Sequence, residues 1–125
     1  MIIDTDVLIW FLRGNQKAMD AVIDAMPFSI STVTYMELVQ GMRNKQELER
    51  MKKSFEEMDV EVIPLNENIS LRASNLVEQF FLSNKLELAD ALIAATCVET
   101  GNTLLTSNDK HYKVVGNLKM EVFRV

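Results

Sequence analysis

The feature that most restricts how this chain can fold is the alternation of short apolar runs with longer segments of helical period. Met1-Ile2-Ile3-Asp4, Phe28-Ser29-Ile30-Ser31, residues 60–65, Thr103-Leu104-Leu105-Thr106 and residues 120–125 have the length and composition of strands. Helix-like segments separate the first four. Apolar residues at Ala18, Val22, Ala25 and Met26 follow helical spacing up to Pro27, where a helix must stop. Tyr35, Leu38, Val39 and Met42 lie on one stripe of a helix expected over residues 33–42. Leu48, Met51, Phe55 and Met58 form a second stripe on the charged segment 45–59, the pattern of an amphipathic surface helix. Ile69, Ala73, Leu76, Val77 and Phe80 mark a long helix capped by Asn66 and ending near Asn84. Residues 88–98 are apolar almost all round and stop at Gly101. The first helix should begin at Thr5 or Asp6, one of them its cap, and end at Arg13, with Gly14 left-handed beyond it. A polar turn is expected between the last two strands. Strands joined through helices make a parallel sheet covered on both faces, so an α/β fold is expected, with a mainly parallel sheet of about five strands.

At 125 residues the chain is expected to form a single domain, 1–125. Its longest apolar runs fall far short of the ~20 residues that cross a bilayer, and no basic stretch precedes an apolar one as in a signal peptide. Cys97 is the only cysteine, which excludes an intramolecular disulfide and suits a reducing cytoplasm. The formal net charge of −5 argues mildly against a purely electrostatic nucleic-acid binder. Metal ions and a local basic patch could still handle phosphates on an acidic protein.

Four acids stand where chemistry is placed in such folds. Asp4 ends the first strand, at the sheet edge where open α/β folds bind ligands. A plainer reading of the Asp4/Asp6 pair is that one of them caps the following helix. Asp90 sits among Ala89, Ala91, Leu92, Ile93 and Ala94, with no lysine or arginine from Leu86 to Thr106. A helix dipole favours an acid there, but a buried carboxylate must neutralise, pair or bind metal. Glu37 could close a capping box with Thr34, the reading that local physics slightly favours. Asp109 follows the fourth predicted strand in Thr106-Ser107-Asn108-Asp109, where turn residues are also the default. His111 is the only histidine and has no second histidine or cysteine near it for zinc, so a hydrogen-bonding or solvated role is expected. Cys97 lies in the apolar helix with nothing basic nearby, and packing is its expected role. All-oxygen carboxylate sets suit Mg²⁺ or Mn²⁺.

Ile3-Asp4-Thr5-Asp6-Val7-Leu8-Ile9, Ser31-Thr32-Val33-Thr34-Tyr35-Met36-Glu37-Leu38 with Gly41, residues 89–96 and Leu105-Thr106-Ser107-Asn108-Asp109 closely resemble, in order and spacing, the motifs of PIN-domain ribonucleases, above all the toxins of VapBC-type toxin–antitoxin pairs. The resemblance implies a three-layer sandwich and an endoribonuclease using one or two Mg²⁺ or Mn²⁺ ions. It also implies a homodimer and a small antitoxin that occludes the acidic site. By position, Asp4 and Asp90 would be metal ligands and Glu37 a third acid. Either Asn108 or Asp109 would fill the fourth position, Asp109 being favoured because it keeps a carboxylate. Asp6, Thr106 and Asn108 would support the site. The ions would orient a water in line with an RNA phosphate and stabilise the developing charge. Arg13, Lys17, Arg43 and Lys110 flank these motifs and are candidates to grip the RNA backbone.

Three other readings compete. Asp4-Thr5-Asp6 after a strand also resembles the first motif of haloacid-dehalogenase-type phosphohydrolases, but Val7-Leu8-Ile9-Trp10 lacks their glycine-rich continuation. A phosphorylated receiver domain needs an acceptor Asp after its third strand, where this chain has Val62-Ile63-Pro64-Leu65. A non-catalytic interaction module with the same fold would bind its partner without metal, and the retained acids argue against it.

Overall fold

The computed structural model describes residues 1–83 and 85–125. Its elements run β1 (Ile2–Ile3), α1 (Thr5–Leu12), α2 (Gln16–Ala25), β2 (Ser29–Ser31), α3 (Thr32–Gln40), α4 (Lys45–Glu57), β3 (Glu61–Ile63), α5 (Glu67–Phe80), α6 (Leu88–Thr100), β4 (Leu104–Thr106), α7 (Asp109–Tyr112) and β5 (Met120–Val122). The helix expected to end near Asn84 ends at Phe80; Asn84 itself lies outside the described residues.

All five strands are parallel, in the order β3-β2-β1-β4-β5. The chain steps outward from β1 through β2 to β3, then returns to the other side of β1 for β4 and β5. The winding direction therefore reverses between β1 and β4, the place where such sheets open a crevice beyond their strand ends. Ile2 pairs with Leu104 and Ile3 with Leu105, so Asp4 and Thr106 arrive at that crevice side by side.

Successive strand residues point to opposite faces, and the core divides accordingly. Ile3, Ile30, Leu105 and Phe123 pack with Val7 and Leu8 of α1, Ala18 and Val22 of α2, Leu38 of α3, and Met51 and Phe55 of α4. Ile2 and Leu104 face the other way, onto Ile93, Ala94 and Cys97 of α6, Tyr112 of α7 and Val115. Behind that layer, Ile69 and Ala73 of α5 lie against Ala91 and Ala95 of α6, where small side chains let the helices meet closely. The result is the expected three-layer sandwich. The apolar stripe of α4 buries Met51 and Phe55 while its charged face stays in solvent.

Local chemistry accounts for most element ends. Asn15, Asn44 and Asn66 cap α2, α4 and α5 through side-chain oxygens 2.9–3.0 Å from backbone N–H groups. Gly14 and Gly101 adopt φ of 83° and 68° just past α1 and α6, a backbone that a side chain would disfavour.

Three local expectations are corrected. Of the two cap readings, the Asp4/Asp6 one is met by Asp4, and neither Thr5 nor Asp6 caps α1, because β1 ends with its apolar run at Ile3 and leaves Asp4 extended. Ser31 caps α3 through Val33 N–H, which places Thr34 inside the helix and Glu37 about one turn further on, so the Thr34–Glu37 capping box does not form. The polar turn after β4 contains the short helix α7.

Candidate active site

Asp4 stands at the switch point with only 4% of its surface exposed. Its Oδ1 accepts the Thr5 N–H at 2.9 Å and the Tyr112 hydroxyl at 3.1 Å, while Oδ2 accepts the Thr106 hydroxyl at 2.7 Å. Burial, and then the neighbouring charge of Asp6, raise its pKa from the ordinary 3.8 to about 7 against the lowering effect of those donors. Among the described residues no lysine, arginine or histidine forms an ion pair with Asp4.

Asp6 lies in the first turn of α1 and accepts the Ser107 N–H at 3.2 Å and the Ser107 hydroxyl through Oδ2. Asp6 thus follows Asp4 at the start of α1, whose cap is Asp4. Thr106 is fully buried, donates to Asp4 and accepts the Asn108 N–H at 2.9 Å. The Asn108 side chain is exposed at the mouth of a groove of about 420 Å³ that also includes Asp109, Lys110, His111 and Arg124.

Glu37 reaches the site through one intermediary. The Thr5 hydroxyl donates to Glu37 Oε1 at 2.7 Å and lies 3.0 Å from the Thr34 hydroxyl, which is itself buried. The residue after Asp4 thus ties α1 to α3. Glu37 opens on a second groove, of about 430 Å³, whose walls include Ile9, Leu12, Arg13, Met42 and Arg43.

Asp90 is the third residue of α6. Its Oδ2 accepts the Glu87 N–H at 3.1 Å as part of a capping box and lies 3.5 Å from His111 Nδ1; the carboxylate is part-exposed and not the fully buried one expected from its apolar neighbours. Tyr112 links the acids: burial and the charges of Asp4, Asp90 and Asp6 push its phenol far above the ordinary range, so it stays protonated as a donor. One phenol therefore feels three carboxylates at once.

Asp109 does not join this group in the structure. Its Oδ1 is 2.7 Å from Arg124 Nη2, and the guanidinium holds its carboxyl below the usual carboxylate range. Of the expected RNA-binding cations, Arg43 is held at both Glu47 oxygens, while Arg13 lies over the Trp10 ring at 5.9 Å. Lys17 and Lys110 are exposed. Burial pushes the Cys97 thiol up to about 12, in keeping with a packing role.

Sequence reasoning missed Thr5, Ser107, Tyr112 and Arg124. Thr5 and Ser107 carried a signal, being polar residues immediately beyond strands that deliver acids. Tyr112 was hidden by reading its segment as a turn, and Arg124 meets Asp109 only through folding.

Among the described residues, no three His, Cys, Asp or Glu side chains are drawn together closely enough to encage a metal. The donor chemistry nevertheless fits a hard cation, since the carboxylates are all-oxygen and Asp4 is buried without an offsetting positive charge. Mg²⁺ is commonly held by one or two carboxylates, with water and substrate phosphate completing its shell, and does not need a protein cage.

The sequence pattern of the PIN domain matches residues 1–118. Ribonuclease VapC10 of Mycobacterium tuberculosis is 36% identical over 125 residues, covering 95% of this chain and 90% of that protein. Among solved structures, a toxin–antitoxin complex from Klebsiella pneumoniae superposes with a TM-score of 0.82 at 25% identity, covering 99% of this chain and 98% of that one. VapBC2 from Rickettsia felis, bound to a DNA fragment from its promoter, has the same fold at 17% identity, with a TM-score of 0.83 and 98% of each chain covered. Matched along nearly its whole length by pattern, sequence and fold, this chain belongs to the PIN-domain family, in its VapC group.

Proposed function

We propose that this chain is an endoribonuclease dependent on Mg²⁺ or Mn²⁺, and the toxin of a toxin–antitoxin pair. The observation that carries this reading is Asp4, buried without a cationic partner among the described residues at the switch point of a parallel sheet, where residues 106–112 also reach Asp6 and Asp90. Asp4 and Asp90 would hold the ion, with Glu37 as a third acid. Once bound, such an ion lowers the pKa of a coordinated water and offsets charge on a phosphodiester.

The rest falls to the protein's own groups. Thr5 N–H, Thr106 and Tyr112 hold Asp4 in one orientation, and Ser107 does the same for Asp6. Thr5 engages Oε1 of Glu37, which leaves Oε2 to accept a proton from water at the reacting phosphate. Asn108, Lys110 and Arg13 face the grooves beside the acids and would contact RNA phosphates, with Lys17 further out. Arg43 would have to leave Glu47 first.

The ribonuclease at 36% identity supports the reaction, and the Klebsiella complex supports a small antitoxin partner. A homodimer acting in the cytoplasm completes the reading. No described helix is long and apolar enough to cross a membrane.

The test is RNA cleavage by the purified chain free of antitoxin. Activity should vanish in EDTA and return with Mg²⁺ or Mn²⁺, and Asp90→Asn should lose on the order of a hundredfold or more. Cleavage that persists in chelator, or a fully active Asp90→Asn protein, would overturn the metal mechanism. Turnover of p-nitrophenyl phosphate in place of RNA would favour the phosphohydrolase reading.

A further inference from the structure

Residues 106–112 touch three carboxylates in turn. Thr106 and Tyr112 donate to Asp4, Ser107 donates to Asp6, and His111 lies 3.5 Å from Asp90. The spacing of the acids therefore depends on how this one segment is held. It is tied at its start by the Phe123 N–H, which donates to the Thr106 carbonyl at 2.8 Å. The next residue, Arg124, supplies the side-chain tie. Its Nη1 donates to the Ser107 carbonyl at 2.9 Å and its Nη2 to Asp109 Oδ1 at 2.7 Å.

The planar guanidinium matters here, because it grips a backbone carbonyl and a carboxylate in fixed directions at once. An ammonium group has no such fork. The side chains of Arg124 and Asp109 are 59% and 29% exposed, so their pairing adds little to global stability and acts mainly on the local path of the chain. Asp109 begins α7, whose later residues His111 and Tyr112 reach Asp90 and Asp4. The guanidinium engages Oδ1 of Asp109 and offsets its charge, which lowers its value as a metal ligand.

We infer that Arg124 is a positioning residue for the metal site, and that Asp109 is its anchor and not a metal ligand. The inference rests on the metal-dependent reading proposed above. Arg124 touches neither metal nor substrate in this role; it works through residues 106–112, keeping Ser107 on Asp6 and α7 against Asp4 and Asp90. Asn108, exposed beside it, is then the residue of the pair 108/109 that Arg124 does not hold.

Mn²⁺ binding to the purified chain without RNA, read from the signal of free Mn²⁺ by electron paramagnetic resonance, tests this apart from turnover. Arg124→Gln and Asp109→Asn should each weaken Mn²⁺ binding roughly tenfold, the usual effect of losing a residue that orients ligands. The double variant should be no weaker than Arg124→Gln alone, because that change already removes the contact with Asp109. Melting temperatures should move by no more than about 2 °C, and Arg124→Lys should recover only part of the affinity.

If Asp109 were itself a ligand, Arg124→Gln would free it and tighten Mn²⁺ binding, and Asp109→Asn would weaken it whether or not Arg124 is present. Tighter or unchanged binding in Arg124→Gln, or additive losses in the double variant, overturns the inference. If the wild-type chain binds Mn²⁺ and cleaves RNA while the variants match it, only the positioning role falls. If the wild type does neither, the metal-dependent reading falls with it.

Discussion

The Tyr112 hydroxyl donates to Asp4 Oδ1 across 3.1 Å, and both side chains are buried. A phenol held neutral by burial, and then by the charges of Asp4, Asp90 and Asp6, is well suited to this, since it supplies a donor without becoming a fourth negative charge. Tyr112→Phe removes that donor and leaves the ring. The ionised form of Asp4 loses stabilisation, so the acidic limb of the pH–activity profile should move up on the order of one pH unit. An unshifted profile would show that the bond does not govern Asp4.

The pKa of Asp4 also sets how stability depends on pH. Folding raises it from 3.8 to about 7, chiefly through burial and then through Asp6. Between these values the folded state holds a proton that the unfolded chain has released, so stability falls as pH rises through that window and levels off above about 7. Metal-free protein should therefore melt at a lower temperature at pH 8 than at pH 5.5 as far as this group decides. Mg²⁺ competes with the proton, so the rise in melting temperature on adding Mg²⁺ should be larger at pH 8. Asp4→Asn should flatten both trends in calorimetric scans.

Thr5 links the Asp4 turn to Glu37 through one hydroxyl. Thr5→Val keeps the shape of the side chain and releases Glu37, with an expected loss in kcat on the order of tenfold. Thr5→Ser retains the hydroxyl and should restore most of the rate. Equal rates for Val and Ser would show that Glu37 does not depend on this contact.

Phe55 tests the packing layer instead of the chemistry. It is 6% exposed on α4 and packs in the core beneath the sheet. Phe55→Ala should cost about 3–5 kcal/mol in urea unfolding, through lost burial and the cavity left behind. Glu56 and Glu57, beside it on the exposed face, should tolerate alanine with changes within about 0.5 kcal/mol.

The order of the strands and of the helices other than α7, the cap at Asn66, the terminal glycines and the two-sided burial of β1 and β4 could be read along the chain. Each depends on residues a few positions apart, or on apolar spacing within one element. Asp4 and Asp90 could likewise be singled out locally, one as an acid at a strand end and the other as an acid in an apolar helix. Their partners could not. Thr106 and Tyr112 reach Asp4 across 102 and 108 residues, and Ser107 reaches Asp6 across 101. Those contacts exist because β4 lies beside β1, a neighbour relation created by the reversal in strand order. Tertiary structure also decided that Glu37 is held by Thr5 and not by a capping box, and that Asp109 faces Arg124. Local sequence could nominate the acids, but a carboxylate's working partner is whichever donor or cation the fold brings within about 3 Å of it.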